Sequence, residues 1–288
     1  MPALLEPQRL LAFLMDVVRL GAWLVLLAVI FLPLERLFAL HPKKFFRKAL
    51  AQDVGYYFIS GLVPGLLLAV PFSVLALGGH ALVPHAMQEA ISAWPLWQRV
   101  FAGLVVGEIG FYWGHRWTHE IPFLWRFHSI HHSAEHIYFL ISARAHPIDN
   151  VFTRLCGLIP VYVLGIATPL TPAGGTVSAV LVLIMTIWGF FIHANVRWRL
   201  GPLEWLIATP GFHHWHHTLG EQRDCNYSPT LPWIDRIFGT YHLPRNQWPA
   251  AYGIGARLPD SLVGQLLYPL RPSTPELGSP EGVGAKAR

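Results

Sequence analysis

The chain has little charge. Only 13% of its 288 residues are charged, whereas 53% are hydrophobic. Soluble domains carry about a quarter charged residues, so this composition argues against an ordinary soluble protein and indicates one membrane-embedded domain. A net charge of +5 would suit a nucleic acid partner, but the basic residues form no long patch with interleaved aromatic rings. They cluster in PKKFFRK (42–48), which is typical of a membrane-topology signal.

Cysteine is nearly absent. Cys156 lies in an apolar run and Cys225 in a polar loop, and the two form no C-x-x-C pair. Neither a disulfide framework nor thiolate metal ligands are therefore indicated, which fits a reducing cytoplasmic face. We expect no cleavable signal peptide, because the first apolar run is followed by basic residues and not by a small-residue cleavage site.

The sequence contains several long apolar runs with few charged residues. A helix needs about 20 residues to cross the hydrocarbon core of a bilayer. The candidate segments are 11–34, 54–78, 97–119, 151–169 and 176–193. The second contains Pro64 and Pro71, so we expect a kinked or broken helix there. The Pro/Gly-rich stretch TPLTPAGG (168–175) predicts a tight turn that joins the last two segments as a helical hairpin.

The basic cluster orients these helices. By the positive-inside rule the loop 42–48 is cytoplasmic, and alternating passes return residues 119 and 193 to the same side. The sequence predicts an all-α integral membrane protein with about four to five membrane-embedded helices and a cytoplasmic helical cap that holds a two-metal site. We divide the chain into N-terminal membrane helices (1–96), a central metal-binding domain (97–245) and a C-terminal segment (246–288). Residues 271–288 are expected to be disordered.

Histidine is concentrated near the predicted helix ends. Twelve of the sixteen histidines lie between residues 115 and 217. They include one H-x-x-x-H motif (115–119), two H-x-x-H-H motifs (128–132 and 213–217) and a single His193. Helical residues i, i+3 and i+4 share a face, so each motif points its imidazoles one way. Nine imidazoles exceed what one tetrahedral ion takes, so we predict two metal ions, which this spacing alone does not name. The predicted ligands are His115, His119, His128, His131, His132, His193, His213, His216 and His217.

Two acids stand beside these histidines. Glu108 shares a helix face with Tyr112, His115 and His119, but lies about 10 Å from His115 by helical rise, too far to ligate the same ion. A carboxylate at membrane depth indicates a function. We expect Glu108 to orient a ligating histidine from the last motif or to shape a substrate channel; pairing with a neighbouring helix is the alternative. Glu120 is expected to ligate metal, to support a ligand or to cap a helix end.

Further side chains are candidates for holding the ligating rings in place. A ligating histidine usually donates its other N–H to a carboxylate or a carbonyl. A surface position without such a role is the alternative for Asp149 and Asp235, and direct metal ligation is the alternative for His136 and His146. The candidates are His136, His146, Asp149, His214, Asp235 and Tyr112.

These motifs resemble those of the fatty acid hydroxylase/sterol desaturase superfamily of membrane di-iron proteins. The matching stretches are EIGFYWGHRWTH (108–119), HSIHH (128–132), HHWHH (213–217) and WIDRIFGTY (233–241). Glu108 stands where the superfamily more often has Asp. Within the superfamily the chain is most similar to the alkylglycerol monooxygenase branch and its bacterial relatives, through HE (119–120), the segment 192–210 and CNY (225–227).

The resemblance implies a reaction and a setting. It implies two iron ions, O2 and hydroxylation of a C–H bond in a lipid, whether acyl, ether-lipid or sterol-like, with Glu120 as an essential acid and His193 closing the site. It also implies a multi-pass protein of a bacterial inner membrane whose active site faces the cytoplasm. Electrons must come from a separate redox partner of unknown identity. A desaturase with the same site is one alternative, and a histidine-rich membrane metal-binding or transport protein is another.

Overall fold

The computed structural model describes residues 7–42, 48–167 and 172–271. Within these ranges the elements are helical, and β-type pairing is limited to two isolated bridges, which confirms the predicted all-α fold. Most of the basic cluster, part of the 168–175 turn and the tail beyond residue 271 lie outside the described residues. The helices are α1 (Pro7–Leu37), α2 (Lys48–Leu82), α3 (His85–Ser92), α4 (Leu96–Glu120), α5 (Pro122–His132), α6 (Pro147–Val163), α7 (Pro172–Ile192), α8 (Pro210–His216), α9 (Trp233–Ile237) and α10 (Leu262–Leu267).

Helix α2 continues through both of its prolines. Pro64 and Pro71 lie inside one helix of 35 residues, so of the two expected outcomes, a kink or a break, the break does not occur. Each proline removes one backbone hydrogen bond. The turns on either side retain theirs, so the helix can extend well beyond the predicted 54–78 segment.

Helix α4 is the central element, and α5, α6 and α7 pack against it. The contact with α6 is very close, because a Cβ atom added at Gly110 would lie 2.2 Å from the carbonyl oxygen of Cys156. Glycine permits this approach, since any side chain would separate the two backbones. The start of α6 is thereby brought alongside the end of α4, where His115 and His119 lie.

Five helix ends meet at one end of the molecule: the C-terminal ends of α1, α4 and α7, and the N-terminal ends of α2 and α6. Glu35 of α1 accepts hydrogen bonds from the backbone N–H groups of Phe139 and Asn195 at 2.7 and 2.9 Å. Asp53 of α2 binds the Arg144 guanidinium at 2.6 Å. These contacts join the long helices to a cap, which we define as residues 121–146 and 193–271.

The C-terminal segment packs onto the cap. Gln265 of α10 accepts a hydrogen bond from Arg144 at 3.2 Å, and the His146 Nε2 atom lies 3.1 Å from the Leu266 carbonyl oxygen. The part of this segment that the structure describes is therefore attached to the central domain. The division of the chain at residues 96 and 245 stays a prediction.

Two of the described helices are long and apolar enough to cross a membrane. They are Pro7–Leu37 and Ala173–Ile192, with mean hydropathies of 2.4 and 2.2. Only 11% and 22% of their most apolar windows are buried within the chain, so both present apolar surface outward. The larger number of four to five membrane-embedded helices stays a prediction.

Candidate metal centre

Short helical stretches present the histidines to one another. His115 and His119 lie one turn apart at the end of α4, and α5 starts at Pro122 after a single extended residue, which turns the chain back toward α4. The Thr209 side chain caps α8, whose first residue is Pro210. The single histidine, at 193, follows α7 directly. All nine predicted ligands are buried, and they form two adjacent groups.

The larger set, here called the five-histidine group, contains the first motif and parts of the other two. Its members are His115, His119, His128, His132 and His216, and one ring nitrogen of each lies within 4.8 Å of the others. The Nε2 atom of His216 is 3.0 Å from that of His115 and 3.1 Å from that of His132. Helices α4, α5 and α8 thus converge on one point.

The smaller set, here called the four-histidine group, contains His131, His193, His213 and His217. The Nε2 atom of His193 lies 3.3, 3.0 and 3.2 Å from those of His131, His213 and His217 respectively. The two groups are neighbours, because the rings of His132 and His217 stack with centroids 4.4 Å apart.

Each H-x-x-H-H motif contributes to both groups. Helix α5 gives its first and last histidines to the five-histidine group and its middle one to the four-histidine group. The motif at α8 does the reverse. The two groups are therefore interleaved across the same pair of helices.

Hydrogen bonds at the outer ring nitrogens define the tautomers of His115 and His216 in the five-histidine group. His115 Nδ1 lies 2.7 Å from the Tyr227 carbonyl oxygen, and His216 Nδ1 lies 2.7 Å from the Cys225 carbonyl oxygen. A carbonyl only accepts, so both Nδ1 atoms carry the hydrogen and both Nε2 atoms of these neutral rings present bare lone pairs. Two such Nε2 atoms 3.0 Å apart repel each other unless a cation lies between them.

The four-histidine group repeats this arrangement. His131 Nδ1 lies 3.1 Å from the Arg144 carbonyl oxygen and His193 Nδ1 lies 2.7 Å from the Gly189 carbonyl oxygen. The Nε2 atoms of these two rings, 3.3 Å apart, therefore also face each other without a hydrogen. Both groups fit a metal ion, and an all-imidazole donor set suits Fe, Zn, Cu or Ni.

Burial keeps the rings neutral. Desolvation, followed by repulsion from neighbouring histidines, holds the pKa of five rings well below the usual value. These rings are His131, His132, His213, His216 and His217. Burial also lowers the pKa of His193 to about 4. Metal ions bind the unprotonated ring nitrogen, so these six rings can bind an ion at neutral pH without first losing protons.

Two carboxylates hold histidines of the five-histidine group. Both Asp149 oxygens lie within hydrogen-bond distance of His128 Nδ1, at 3.0 and 3.1 Å, as expected from the sequence. Asp224 Oδ1 lies 2.9 Å from His119 Nδ1, and this contact was missed. The two residues are 105 positions apart, and the only sequence signal was that Asp224 directly precedes the CNY stretch.

Glu120 lies on another side of helix α4. Its side chain is 48% exposed and accepts a hydrogen bond from Arg116 Nε at 2.7 Å. Successive helical residues differ by about 100° in direction, so the residue after His119 does not share its face. Neither histidine group includes Glu120, and its role as an essential acid stays a prediction.

Glu108 does not contact a histidine of the last motif, contrary to expectation. Its Oε1 atom accepts hydrogen bonds from the backbone N–H groups of Thr230 and Leu231, at 2.5 and 2.9 Å. The reason is that the loop before α9 follows α4 from the level of His115 to the level of Glu108. Glu108 therefore binds this loop.

Asp235 also binds backbone where a histidine was expected. Its carboxylate accepts hydrogen bonds from the N–H groups of Tyr227 and Ser228 at 2.7 and 2.9 Å, and from the Thr240 hydroxyl at 2.7 Å. Tyr112 joins the same assembly, because its hydroxyl lies 3.0 Å from that of Thr240. Both residues hold the loop that bears the Tyr227 carbonyl, and so they reach the histidines only indirectly.

The remaining candidates lie outside both groups. His214 is buried, with its ring nitrogens 3.1 Å from the Ala194 carbonyl oxygen and 3.1 Å from the Tyr252 hydroxyl. His146 caps the start of α6. His136 is exposed and lines a cavity of about 740 Å³ that Tyr252 also lines. None of the three belongs to a histidine group.

Comparisons with known proteins identify relatives of the central part of the chain. An ornithine lipid hydroxylase, OlsE, of Rhizobium tropici is 36% identical over 177 residues, which cover 61% of this chain and 51% of that protein. The alkylglycerol monooxygenase of Homo sapiens is 33% identical over 55% of this chain and 33% of its own length. Methylsterol monooxygenase 2-2 of Arabidopsis thaliana is 29% identical over 51% of this chain and 54% of its own length.

The chain thus spans about half the length of the ornithine lipid hydroxylase and a third of the human enzyme. No solved structure matches it significantly. The Fatty acid hydroxylase family model matches residues 100–240, the part of the chain that carries all nine clustered histidines. Through these residues the chain is similar to the fatty acid hydroxylase family.

Proposed function

We propose that this chain is a membrane-bound monooxygenase that uses two iron ions and O2 to hydroxylate a C–H bond of a lipid. The observation that carries the proposal is the facing pair of unprotonated Nε2 atoms in each group, His115 with His216 and His131 with His193. Such pairs in two adjacent groups favour two bound ions. The activities for which the relatives are named, lipid hydroxylation and monooxygenation, support iron and O2 over other metal chemistry.

The metal ions and the described residues would have different roles in the reaction. The two metal ions, when bound, would supply the O2 activation that hydroxylation requires. The nine histidines hold the ions as neutral ligands, and Asp149 and Asp224 fix the orientation of two rings through their Nδ1 atoms. Burial of all nine rings excludes bulk water, which protects an oxidising centre from side reactions.

Exposed apolar surface supports a position in the membrane with several passes. Leu66, Val70, Val74 and Leu77 of α2 are 77%, 71%, 64% and 63% exposed, and their spacing places them on one helix face. Such a stripe is unfavourable in water and suited to lipid. Together with the two candidate spans, it supports α2 as a further membrane helix.

The cap is proposed to face the cytoplasm of a bacterial cell. The basic segment 42–48 falls between α1 and α2 in the sequence, and the described ends of these two helices lie on the side of the histidine groups. Basic loops favour the cytoplasmic side. A substrate lipid would then reach the centre from the membrane, and a separate redox partner would deliver electrons from the cytoplasm. Acyl, ether-lipid and sterol-like substrates all fit this arrangement.

The test combines metal analysis with lipid analysis. The detergent-purified protein is expected to contain two irons per chain and to consume O2 when a chemical reductant is supplied. Lipids of cells that express the chain are expected to contain a species heavier by one oxygen atom, which is absent from cells that express His216→Ala or His217→Ala.

Other outcomes identify the alternatives. Loss of two hydrogens from a lipid, without oxygen insertion, would identify a desaturase. Reversible metal uptake into vesicles without O2 consumption would identify a transport protein. A purified chain without bound metal under any reducing condition would contradict the proposal itself.

A further inference from the structure

Two buried carboxylates hold one loop by its backbone. Asp235 accepts hydrogen bonds from the N–H groups of Tyr227 and Ser228, and Glu108 accepts from those of Thr230 and Leu231. The two acids belong to different helices, and both are buried. All four backbone N–H groups between residues 227 and 231 are thereby fixed, since residue 229 is a proline and has none.

The start of this loop bears directly on the five-histidine group. The Cys225 carbonyl accepts from His216 Nδ1 and the Tyr227 carbonyl accepts from His115 Nδ1, both at 2.7 Å. Asn226, between them, has a φ of 56°, and its side-chain amide donates to the carbonyls of Phe212 and His242 at 2.7 Å each. The two carbonyls are thus held in a fixed relation to each other.

We propose that Glu108 and Asp235 are positioning residues for the five-histidine group. They act through the loop: the carboxylates fix its N–H groups, and its carbonyls then fix the tautomers of His115 and His216. The inference rests on the proposed metal binding, and it assigns these residues to one of the two ions. The four-histidine group depends on a different set of carbonyls, those of Arg144 and Gly189.

Removing either carboxylate should therefore weaken the binding of one metal ion far more than the binding of the other. Asp235→Asn keeps side-chain size but replaces one of two accepting oxygens by an N–H donor, which opposes a backbone N–H group. Glu108→Gln replaces the single carboxylate oxygen that accepts from both N–H groups by a neutral amide oxygen, whose hydrogen bonds are weaker. We expect faster release of one of the two ions to a chelator, by about 10–100-fold, the usual effect of losing a residue that orients a ligand. The other ion should leave at the wild-type rate.

Cobalt substitution of the full-length protein can show which ion is lost. His216→Ala and His217→Ala serve as references, because each removes a ligand from one group only. With one Co²⁺ left, the visible absorption spectra of Glu108→Gln and Asp235→Asn are expected to match that of His216→Ala. A match to His217→Ala, or equal release of both ions, would overturn the inference.

Glu204→Gln is the matched control for loss of a buried carboxylate. Glu204 is also buried, and it accepts hydrogen bonds from the Arg199 side chain and the Leu200 N–H, both at 3.1 Å. It also accepts from the Thr209 hydroxyl at 3.3 Å, and through this cap of α8 it supports both histidine groups equally. Its expected effect is a lower unfolding temperature with no selective release of either ion. If it reproduces the selective loss seen in the two test variants, these carboxylates act only on the fold and the inference is wrong.

The two proposals fail in different ways. If wild-type protein binds no cobalt and no iron, the proposed function fails. If wild-type protein binds two ions and the variants release both as the wild type does, only the positioning role fails. Should Asp235→Asn not accumulate in cells, Glu108→Gln decides alone, because it contacts the opposite end of the same loop.

Discussion

The two carboxylates that contact the five-histidine group differ in solvent exposure. This difference should decide how much each contributes to iron binding. The Asp149 side chain is 5% exposed, whereas that of Asp224 is 35% exposed. Both are within hydrogen-bond distance of a histidine Nδ1 atom. A buried hydrogen bond to a charged group is stronger than one screened by water, and its loss leaves the histidine N–H without a replacement partner.

We therefore predict a ranked loss of iron. Asp149→Asn should weaken iron binding near the upper end of the 10–100-fold range for residues that orient a ligand, and Asp224→Asn near the lower end. Iron per chain after dialysis against a graded chelator series measures both. Glu120→Gln is the control, and it should keep wild-type iron content whatever its effect on turnover. The reverse ranking of the two aspartates would contradict the role given to burial.

The sequence predicted eight of the nine clustered histidines from their helical spacing, and His193 from the predicted return of its helix to the same side. It could not identify Asp224 as the partner of His119, since only the folded chain brings these distant residues together. The sequence also made Glu120 a candidate only because it directly follows His119. On a helix, the neighbour in sequence points elsewhere, and here it meets Arg116.

At the scale of helices, the seam between α4 and α6 controls the alignment of the site. Helix α4 carries His115 and His119, and α6 carries Asp149, so a shift of either helix would separate ligands from their supports. The contact is tightest at Gly110, where an added Cβ would meet the backbone of α6. Backbone cannot move aside as a flexible side chain can, so the helices themselves must shift.

Gly110→Ala should therefore destabilise the protein by about 1–3 kcal/mol, the usual cost of overpacking. It should lower both the unfolding temperature in detergent and the iron content. Gly21→Ala, in α1, is the control, because a Cβ there meets nothing within 4 Å and alanine favours a helix. Equal unfolding temperatures for the two variants would show that the α4–α6 seam tolerates expansion.

The assignment of each histidine to a group was also beyond the sequence. The i, i+3, i+4 rule predicts three imidazoles on one face but not which of them shares an ion with another helix. That division depends on where α5 and α8 cross. By contrast, the extents of α1, α4 and α7 agree with the apolar runs, because length and composition alone define such helices.

At the scale of the molecule, the arrangement of the helix ends predicts on which side of the membrane each end of the protein lies. The 82–92 region lies between α2 and α4, at the end opposite the histidine groups, and residue 222 lies in the cap. A cysteine introduced at Ala86 should react with a membrane-impermeant maleimide only from outside the cell, and one at Gln222 only in inverted vesicles. The unsubstituted chain gives the background from Cys156 and Cys225. Labelling of both positions from one side would contradict the proposed topology.

The interleaving of the two groups has a consequence for the order of events during synthesis. His216 completes one group, and His213 and His217 complete the other, so both remain incomplete on a nascent chain until its last histidine motif emerges from the ribosome. By then every long helix has already been translated. If the proposed function holds, iron would be loaded only after these helices have been made, and a chain truncated before residue 213 would be unable to start oxidative chemistry.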